Sequence, residues 1–208
     1  VAFIEKIAPG EQFVDCGANV GAYTLVAAMR GAHVVAIEPA WPNHDRLRRN
    51  LTLNSIKDGI RNRSLLEQGV VCPVVLGAAG GWRWLHYIDL HPGTAGHVIT
   101  EDGEYSGDQS FHREPLPLVQ LDALLMAFPY EARWIKVDVD GGEIDVLRGA
   151  ELAMTDGKTK GWMIEVNIEQ TETQVMKIMT DTGWKLLGRY DQRGGKSIGN
   201  IAYLEFGR

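Results

Sequence analysis

Apolar and polar positions along the chain fall into short runs that alternate between two periods. Phe13–Asp15 is an apolar run ending in an acid. The glycine-bearing stretch Cys16-Gly17-Ala18-Asn19-Val20-Gly21 follows, and then Tyr23–Arg30, rich in Ala, Leu and Met and closed by Gly31. A brief apolar run bounded by glycine predicts a buried strand, and the longer run stopped by glycine predicts a helix. His33–Ile37 is β-branched and apolar and ends at Glu38-Pro39, a second strand. From about Asn43 to Asn54, Leu47, Leu51 and Asn54 share one helical face while Arg46, Arg48 and Arg49 lie largely on another. Val70–Leu76 is a third apolar run, interrupted by Pro73 and ended by Gly77.

The alternation breaks at Gly80. Trp82, Trp84 and Tyr87 predict a hairpin, and the rest of the segment as far as Pro117 reads as a long loop. It resumes with a strand at Trp134–Val139, a helix at Glu143–Met154, a strand at Trp162–Val166 and a helix at Thr171–Thr182. Trp184–Tyr190 and Ile201–Phe206 read as two final strands with no helix between them, joined by a turn at Gly194-Gly195. Strands alternating with helices predict a parallel sheet with helices on both faces, and the final pair an antiparallel hairpin at one edge. No linker or repeat interrupts this α/β pattern, so residues 1–208 are expected to form a single domain carrying an inserted segment at about 82–117.

Composition narrows the function classes. Hydrophobic residues at 45% and charged residues at 23% exclude disorder and coiled coil as the main state. A net charge of −6 is not that of a general polyanion binder, so no nucleic-acid partner is expected. The apolar runs fall short of the ~20 residues of a membrane helix. Two cysteines, Cys16 and Cys72, make no disulfide framework and favour a reducing, cytoplasmic setting. The 24 glycines have no fixed period and imply many tight turns. Val1 in place of Met leads us to expect a trimmed or processed start or a fragment, and the first residues lack the layout of a signal peptide.

The first turn carries the candidate chemistry. Open α/β sheets bind ligands at the carboxyl ends of their strands. Asp15-x-Gly-x-x-x-Gly differs from the dinucleotide fingerprint because Asn19 stands at the middle glycine position, and no Lys-Ser/Thr pair follows to make a phosphate loop. A pyrophosphate wants free backbone N–H groups, whereas Asp15 beside the turn favours a cation. S-adenosylmethionine offers one, the free ammonium of its methionine part. Glu38 ends the second strand about 20 residues past the first glycine, where an acid accepts hydrogen bonds from ribose hydroxyls. The expected cofactor contacts are Asp15, Gly17, Asn19 and Gly21 around the methionine part, Glu38 on the ribose, and Pro39 with Gly77-Ala78 near the adenine.

The run Phe13-Val14-Asp15-Cys16-Gly17-Ala18-Asn19-Val20-Gly21-Ala22-Tyr23-Thr24 resembles the opening motif of FkbM-type S-adenosylmethionine-dependent methyltransferases. So does Ile135-Lys136-Val137-Asp138-Val139-Asp140-Gly141-Gly142-Glu143, continued by Val146-Leu147-Arg148-Gly149-Ala150. Ile37-Glu38-Pro39, Leu53-Asn54, Leu121-Asp122 and Met163-Ile164-Glu165-Val166 fall in the family's order, so the likeness spans about residues 12 to 206. The resemblance implies a Rossmann-like class I methyltransferase fold: a mostly parallel seven-stranded sheet, helices on both faces and an antiparallel C-terminal hairpin. It also implies methyl transfer to a hydroxyl on a sugar or natural-product small molecule. The family usually has Glu where this chain has Asp140, and it often has a small-residue loop where this chain has Gly93-Thr94-Ala95-Gly96.

An alcohol that attacks a methyl group must lose its proton. Asp138 and Glu165, at the ends of their strands, are the first candidates, and His97 is the preferred histidine of the four in the insertion. Asp138, Glu165 and Asn167 together offer an all-oxygen site for Mg²⁺ as an alternative. Asp140 and Glu143 open a helix, where acids also serve as caps. A salt bridge from Asp138 to Lys136 competes with catalysis, since residues two apart on a strand share a face. Trp82, Trp84 and Tyr87 suit either a sugar ring or packing. The inserted segment is expected to cover the acceptor and select it. Two other readings remain open from sequence: a non-catalytic nucleotide-binding or sensing domain of the same fold, and N-methylation of another acceptor. A dehydrogenase is disfavoured by Asn19 and the absent third glycine.

Overall fold

The computed structural model describes residues 2–57, 60–61, 69–105, 111–129, 132–191 and 200–208. Five parallel strands carry the first part of the main sheet: β1 (Gln12–Cys16), β2 (His33–Ile37), β5 (Gly69–Cys72), β10 (Arg133–Val137) and β11 (Thr159–Asn167). The sheet is completed by β12 (Lys185–Asp191) and β13 (Ile201–Gly207), and its order is β12-β13-β11-β10-β1-β2-β5. β13 runs antiparallel to both β11 and β12. Between β2 and β5, β3 (Ile56–Lys57) and β4 (Ile60–Arg61) pair antiparallel as a separate ribbon. The seven-stranded sheet and its antiparallel pair therefore match the sequence expectation. The turn expected at Gly194-Gly195 lies outside the described residues.

Both faces of this sheet are covered, which is why its inner strands read as continuous apolar runs. Successive side chains point to opposite faces. Val14 and Cys16 of β1, with Ile135 and Val137 of β10 and Ile164 of β11, enter one core. That core lies under α4 (Leu121–Met126), α5 (Glu143–Arg148), α6 (Glu151–Thr155) and α7 (Glu172–Asp181). Phe13, Val34 and Met163 enter the other core, under α1 (Ala2–Glu5), α2 (Ala22–Met29) and α3 (Trp41–Asn54). Trp162 and Trp184 meet edge to face at 6.2 Å in the first core, and the Trp184 indole N–H donates to the Met154 carbonyl at 3.1 Å. Among the described residues, no helix is long and apolar enough to cross a membrane.

Four local expectations are corrected. The run Val70–Leu76 is two strands: Cys72 ends β5, and β6 (Val75–Leu76) belongs to a second sheet. Pro73, which cannot donate to a ladder, sits at the division. Helix Glu143–Met154 is broken at Gly149-Ala150. Gly149 packs so close to Gly77 that a Cβ would lie 2.2 Å from the Gly77 carbonyl oxygen. The second piece restarts with its own cap, because the Asp122 carboxylate accepts the Leu152 and Ala153 N–H groups at 2.8 and 2.9 Å. Helix α3 starts at Trp41, before Pro42, since proline is well suited to the first turn of a helix. Finally, the segment read as a hairpin and long loop contains β7 (Gly81–Tyr87), β8 (Val98–Thr100) and β9 (His112–Val119). With β6 they form a four-stranded sheet of order β6-β9-β7-β8 beside the carboxyl edge of the main one.

At that edge the strand ends are tied together. The Gly17 and Ala18 N–H groups both donate to the Ile37 carbonyl, and the Asp138 N–H donates to the Cys16 carbonyl. Gly17 has φ +78°, and a Cβ there would lie 1.6 Å from the Asp138 carbonyl oxygen. Gly17→Ala is therefore expected to cost at least ~2 kcal/mol of stability, from positive φ and from forcing β1 and β10 apart. Urea unfolding of the two proteins checks this, and a cost below ~0.5 kcal/mol would contradict the close approach.

Candidate active site

A cavity of about 330 Å³ opens at the carboxyl ends of β1, β2, β10 and β11, under the second sheet. It falls within the ~300–1,000 Å³ of small-molecule sites. Ile37, Pro39, Val75, Leu76 and Leu85 give it an apolar wall. Its charged side chains are four carboxylates, Glu38, Asp138, Asp140 and Glu165; among the described residues no Lys or Arg lines it.

The β1 turn is shaped by left-handed backbone at Gly17 and at Asn19, φ +50°. Asparagine tolerates that region better than most residues. The Asn19 N–H donates to Glu38 at 2.9 Å, and the Ala40 N–H donates to the other Glu38 oxygen at 2.9 Å. Glu38 is buried, and burial pushes its carboxyl up to about 7 against those hydrogen bonds. One acid thus joins the β1 turn to the start of α3 while still lining the cavity.

A small-residue loop closes the site from above. The Asn43 amide accepts the Gly93 N–H at 2.8 Å and donates to the Thr94 carbonyl at 2.9 Å. Asp140, with φ +54°, accepts the Gly96 N–H at 2.7 Å. The shorter acid at this position therefore has a defined task, holding the loop down over the cavity. His97 follows the loop, lines the cavity and meets the Tyr87 ring at a tilt of 59°, with centroids 5.1 Å apart. Its Nδ1 accepts the Ile88 N–H at 3.4 Å, and burial lowers its pKa, which favours the neutral ring.

A charged cluster occupies the other end. Lys136 is buried, with its ammonium 3.3 Å from Asp15 and 3.0 Å from Asp138. Burial works against its charge, but the two carboxylates outweigh it and hold the ammonium above the usual lysine range. The Tyr203 hydroxyl donates to Asp138 at 3.1 Å. Glu165 faces Tyr203 in the β11–β13 register. Burial and then the charge of Asp138 push the Glu165 carboxyl up to about 7.

Gly17, Asn19, Glu38, Pro39, His97, Asp138 and Glu165 meet at this cavity. Four expected cofactor residues are placed elsewhere. Asp15 is fully buried behind the turn, accepting from the Thr24 hydroxyl at 2.7 Å, because its side chain points to the α2 face of the sheet beside Lys136. Gly21 precedes α2 and packs on Leu47. Gly77 and Ala78 line an adjoining cavity of about 570 Å³, which shares His97 and Asp140 with the first. The Asn167 amide oxygen accepts the Glu169 and Gln170 N–H groups at 3.1 Å, and Asn167 does not line the cavity. Among the described residues, no group of three or more His, Cys, Asp or Glu is placed to hold a metal. Asp138 stands one residue past the end of β10 rather than inside the strand. Glu143 does not cap its helix: it accepts the Gly141 N–H at 2.9 Å, from the turn that precedes α5. Trp82 is exposed, Trp84 lies under the Arg113 guanidinium and Tyr87 is buried; none of these lines the cavity.

Asn43 and Tyr203 were missed in the sequence. Asn43 reads as a polar position near a helix start. Tyr203 alternates with buried Ala202 and Leu204, which marks the other face of its strand but not the neighbour it meets.

Comparison with known proteins agrees with this geometry. The profile of the Methyltransferase FkbM domain matches residues 15–183. Methyltransferase sdnD of Sordaria araneosa is 27% identical over 163 residues, 66% of this chain, and the chain spans 60% of that relative's length. Among solved structures, magnesium protoporphyrin IX methyltransferase of Synechocystis PCC 6803 with bound S-adenosylmethionine superposes with TM-score 0.55 at 12% identity, covering 100% of this chain and 75% of the other. Precorrin-6y C5,15-methyltransferase of Geobacter metallireducens gives 0.53 at 9% identity, covering 100% and 85%. These likenesses show the Rossmann-like class I methyltransferase fold.

Two carboxyls held up to about 7 make stability depend on pH. In the unfolded chain Glu38 and Glu165 ionise near the ordinary 4.5. The folded state binds their protons more tightly, so their contribution is full below pH 4.5 and is lost as pH rises through about 7. The double variant E38Q/E165Q is expected to lose less stability than the parent between those pH values. Urea titrations at a series of pH values check this, and parallel curves would contradict it.

Proposed function

The chain belongs to the FkbM methyltransferase family, and from that premise we propose that it transfers a methyl group from S-adenosylmethionine to a hydroxyl of a sugar or natural-product small molecule. One observation carries the reading: the cavity at the strand ends is lined by four carboxylates with neither Lys nor Arg among its described residues. A dinucleotide pyrophosphate would meet acids on every side, whereas a sulfonium and an ammonium are matched by them. The donor set fits. Glu38 directs a carboxylate to the cavity with lone pairs left after its two backbone hydrogen bonds, which suits ribose hydroxyls. Gly17 and Asn19 offer a turn without bulk to the methionine part, and Pro39 with Leu76 and Leu85 forms an apolar wall for the nucleoside. The assignment of adenine to Gly77-Ala78 places the base toward the adjoining cavity, past Leu76, which lines both.

When bound, S-adenosylmethionine supplies an activated methyl on a good leaving group. The protein's task is then to align the acceptor, exclude water and receive a proton. Asp138 and Glu165 stand at the far end of the cavity from Glu38's turn, and His97 comes from the loop above. The loop 93–97, fastened to Asn43 and Asp140, roofs the cavity, and Leu85 of β7 and Ile99 of β8 line it, which supports the inserted segment as the selector of the acceptor. A mixed polar and apolar lining suits a hydroxylated small molecule better than a nucleic acid or a membrane. Cys16 and Cys72 are both free, in keeping with a cytoplasmic setting.

Calorimetric titration of S-adenosylhomocysteine and NAD tests the cofactor. We expect the first to bind and the second not to. Glu38→Ala removes a charged acceptor worth about 1.5–3 kcal/mol, a loss of roughly 10- to 150-fold in affinity. Binding of NAD alone, or unchanged affinity in Glu38→Ala, contradicts the assignment. A screen of hydroxylated acceptors with labelled methyl donor then identifies the substrate.

A further inference from the structure

Asn43 is a buried amide in the first turn of α3, between the acid that lines the cavity and the loop that roofs it. An asparagine side chain has an acceptor oxygen and two donor hydrogens, and each end has a partner here. Oδ1 accepts the Gly93 N–H at 2.8 Å, and Nδ2 donates to the Thr94 carbonyl at 2.9 Å. Nδ2 also donates to Glu38 Oε1 at 3.5 Å. An ionised carboxylate only accepts, so Glu38 dictates which end of the amide faces it, and the oxygen is thereby turned to Gly93. A second path runs in parallel. The Asn19 N–H donates to Glu38 Oε2 at 2.9 Å, and its side-chain nitrogen reaches the Gly93 and Thr94 carbonyls at 3.4 and 3.5 Å. Glu38 therefore touches both residues that hold the first half of the roof, while Asp140 holds the Gly96 N–H from the loop after β10. Thr94 and Ala95 line the cavity, so the placing of this loop sets the room beneath it.

We propose that Asn43 is a positioning residue that couples the cofactor to the roof: ribose hydroxyls on Glu38 tighten its contact with Asn43, and Asn43 in turn fastens Gly93 and Thr94, so that the acceptor's enclosure is set once the cofactor is in place. This coupling depends on the assignment of the ribose to Glu38 in the reading above. Its physical basis is the one slack contact in the web. The Asn19 and Ala40 N–H groups already meet Glu38 at 2.9 Å, whereas the Asn43 amide stands at 3.5 Å, beyond the usual ~2.7–3.2 Å. A nucleoside seated on Glu38 excludes water from the carboxylate, and a hydrogen bond to a charged group strengthens as its surroundings lose water. The contact with room to shorten is the one that leads to the roof. Coupling of this kind is reciprocal, so the fastened loop also raises affinity for the cofactor.

The test follows the Gly93 amide, whose hydrogen bond ends on Asn43. Hydrogen exchange of the ¹⁵N-labelled full chain is measured by NMR with and without saturating S-adenosylhomocysteine. In the unaltered protein the ligand is expected to slow exchange at Gly93 at least ~5-fold, the low end of ordinary coupling between sites. Asn43→Ala should exchange faster at Gly93, bind S-adenosylhomocysteine more weakly by calorimetry and show no slowing by the ligand. Asn43→Asp keeps an acceptor for the Gly93 N–H but replaces the donor facing Glu38 with a second acceptor. It should protect Gly93 in the free protein and still show no slowing when the ligand binds, which a merely structural role does not produce. Unchanged or faster Gly93 exchange in the liganded, unaltered protein overturns the coupling without any variant. Slowing that persists in both variants is simple cover by the ligand and overturns the role of Asn43. Failure of S-adenosylhomocysteine to bind the unaltered protein overturns the cofactor reading and the coupling together, whereas binding without slowing overturns the coupling alone.

Discussion

The carboxyl edge of the sheet is organised around one buried ammonium. Removing a charge from water is affordable only with close partners of opposite sign, and Lys136 finds two, one on β1 and one just past β10. The consequences spread from there. Asp15, drawn to Lys136, also accepts from Thr24 and so anchors α2 to the strand before it. The Tyr23 ring packs 5.1 Å from the same ammonium. Asp138 is pinned beyond the end of β10, where its backbone carbonyl meets Gly17 with no room for a side chain between them. A sequence that placed a neutral residue at 136 would leave two carboxylates facing each other across the sheet, and the turn that shapes the cavity would lose its support.

Much of this was legible in the chain. Strand ends could be read from acids that follow apolar runs, which placed Glu38 at the cavity. The alternation of strands and helices gave the parallel sheet. What could not be read was direction. β1 is buried on both faces, so its apolar pattern does not say which way Asp15 points, and the side chain turned out to serve Lys136. Tyr203 approaches Asp138 across a break of some sixty residues in sequence, and only the β11–β13 register brings it near. The second sheet escaped notice for another reason. β6 and β8 are short, β9 carries Pro115 and Pro117, and β6 pairs with β9 from beyond the whole insertion, so no local period announces the sheet.

That second sheet changes how the site works. A cleft at the edge of an open α/β sheet is usually bounded by loops alone. Here β6 leaves the main sheet beside β5 and carries the chain into a layer that stands over the strand ends. The loop 93–97 hangs from this layer, and its amides and carbonyls are held by Asn19, Asn43 and Asp140 from the layer below. The roof is therefore fastened to both the turn and the helix start that form the floor, and the cavity's height follows from three polar side chains rather than from a rigid scaffold.

Glu38 carries a further implication for how such a site could evolve. Its two oxygens brace the β1 turn and the start of α3 while its remaining lone pairs face the cavity. Under the proposed function, recognition and architecture are thus vested in the same two atoms. A change that dispensed with the acid in order to admit a ligand bearing a phosphate would also release two backbone amides that have no other acceptor in place. On that proposed reading, cofactor preference is inherited with the fold: a lineage could remodel the roof and with it the acceptor, one loop residue at a time, while the nucleoside end stayed fixed by the requirements of folding.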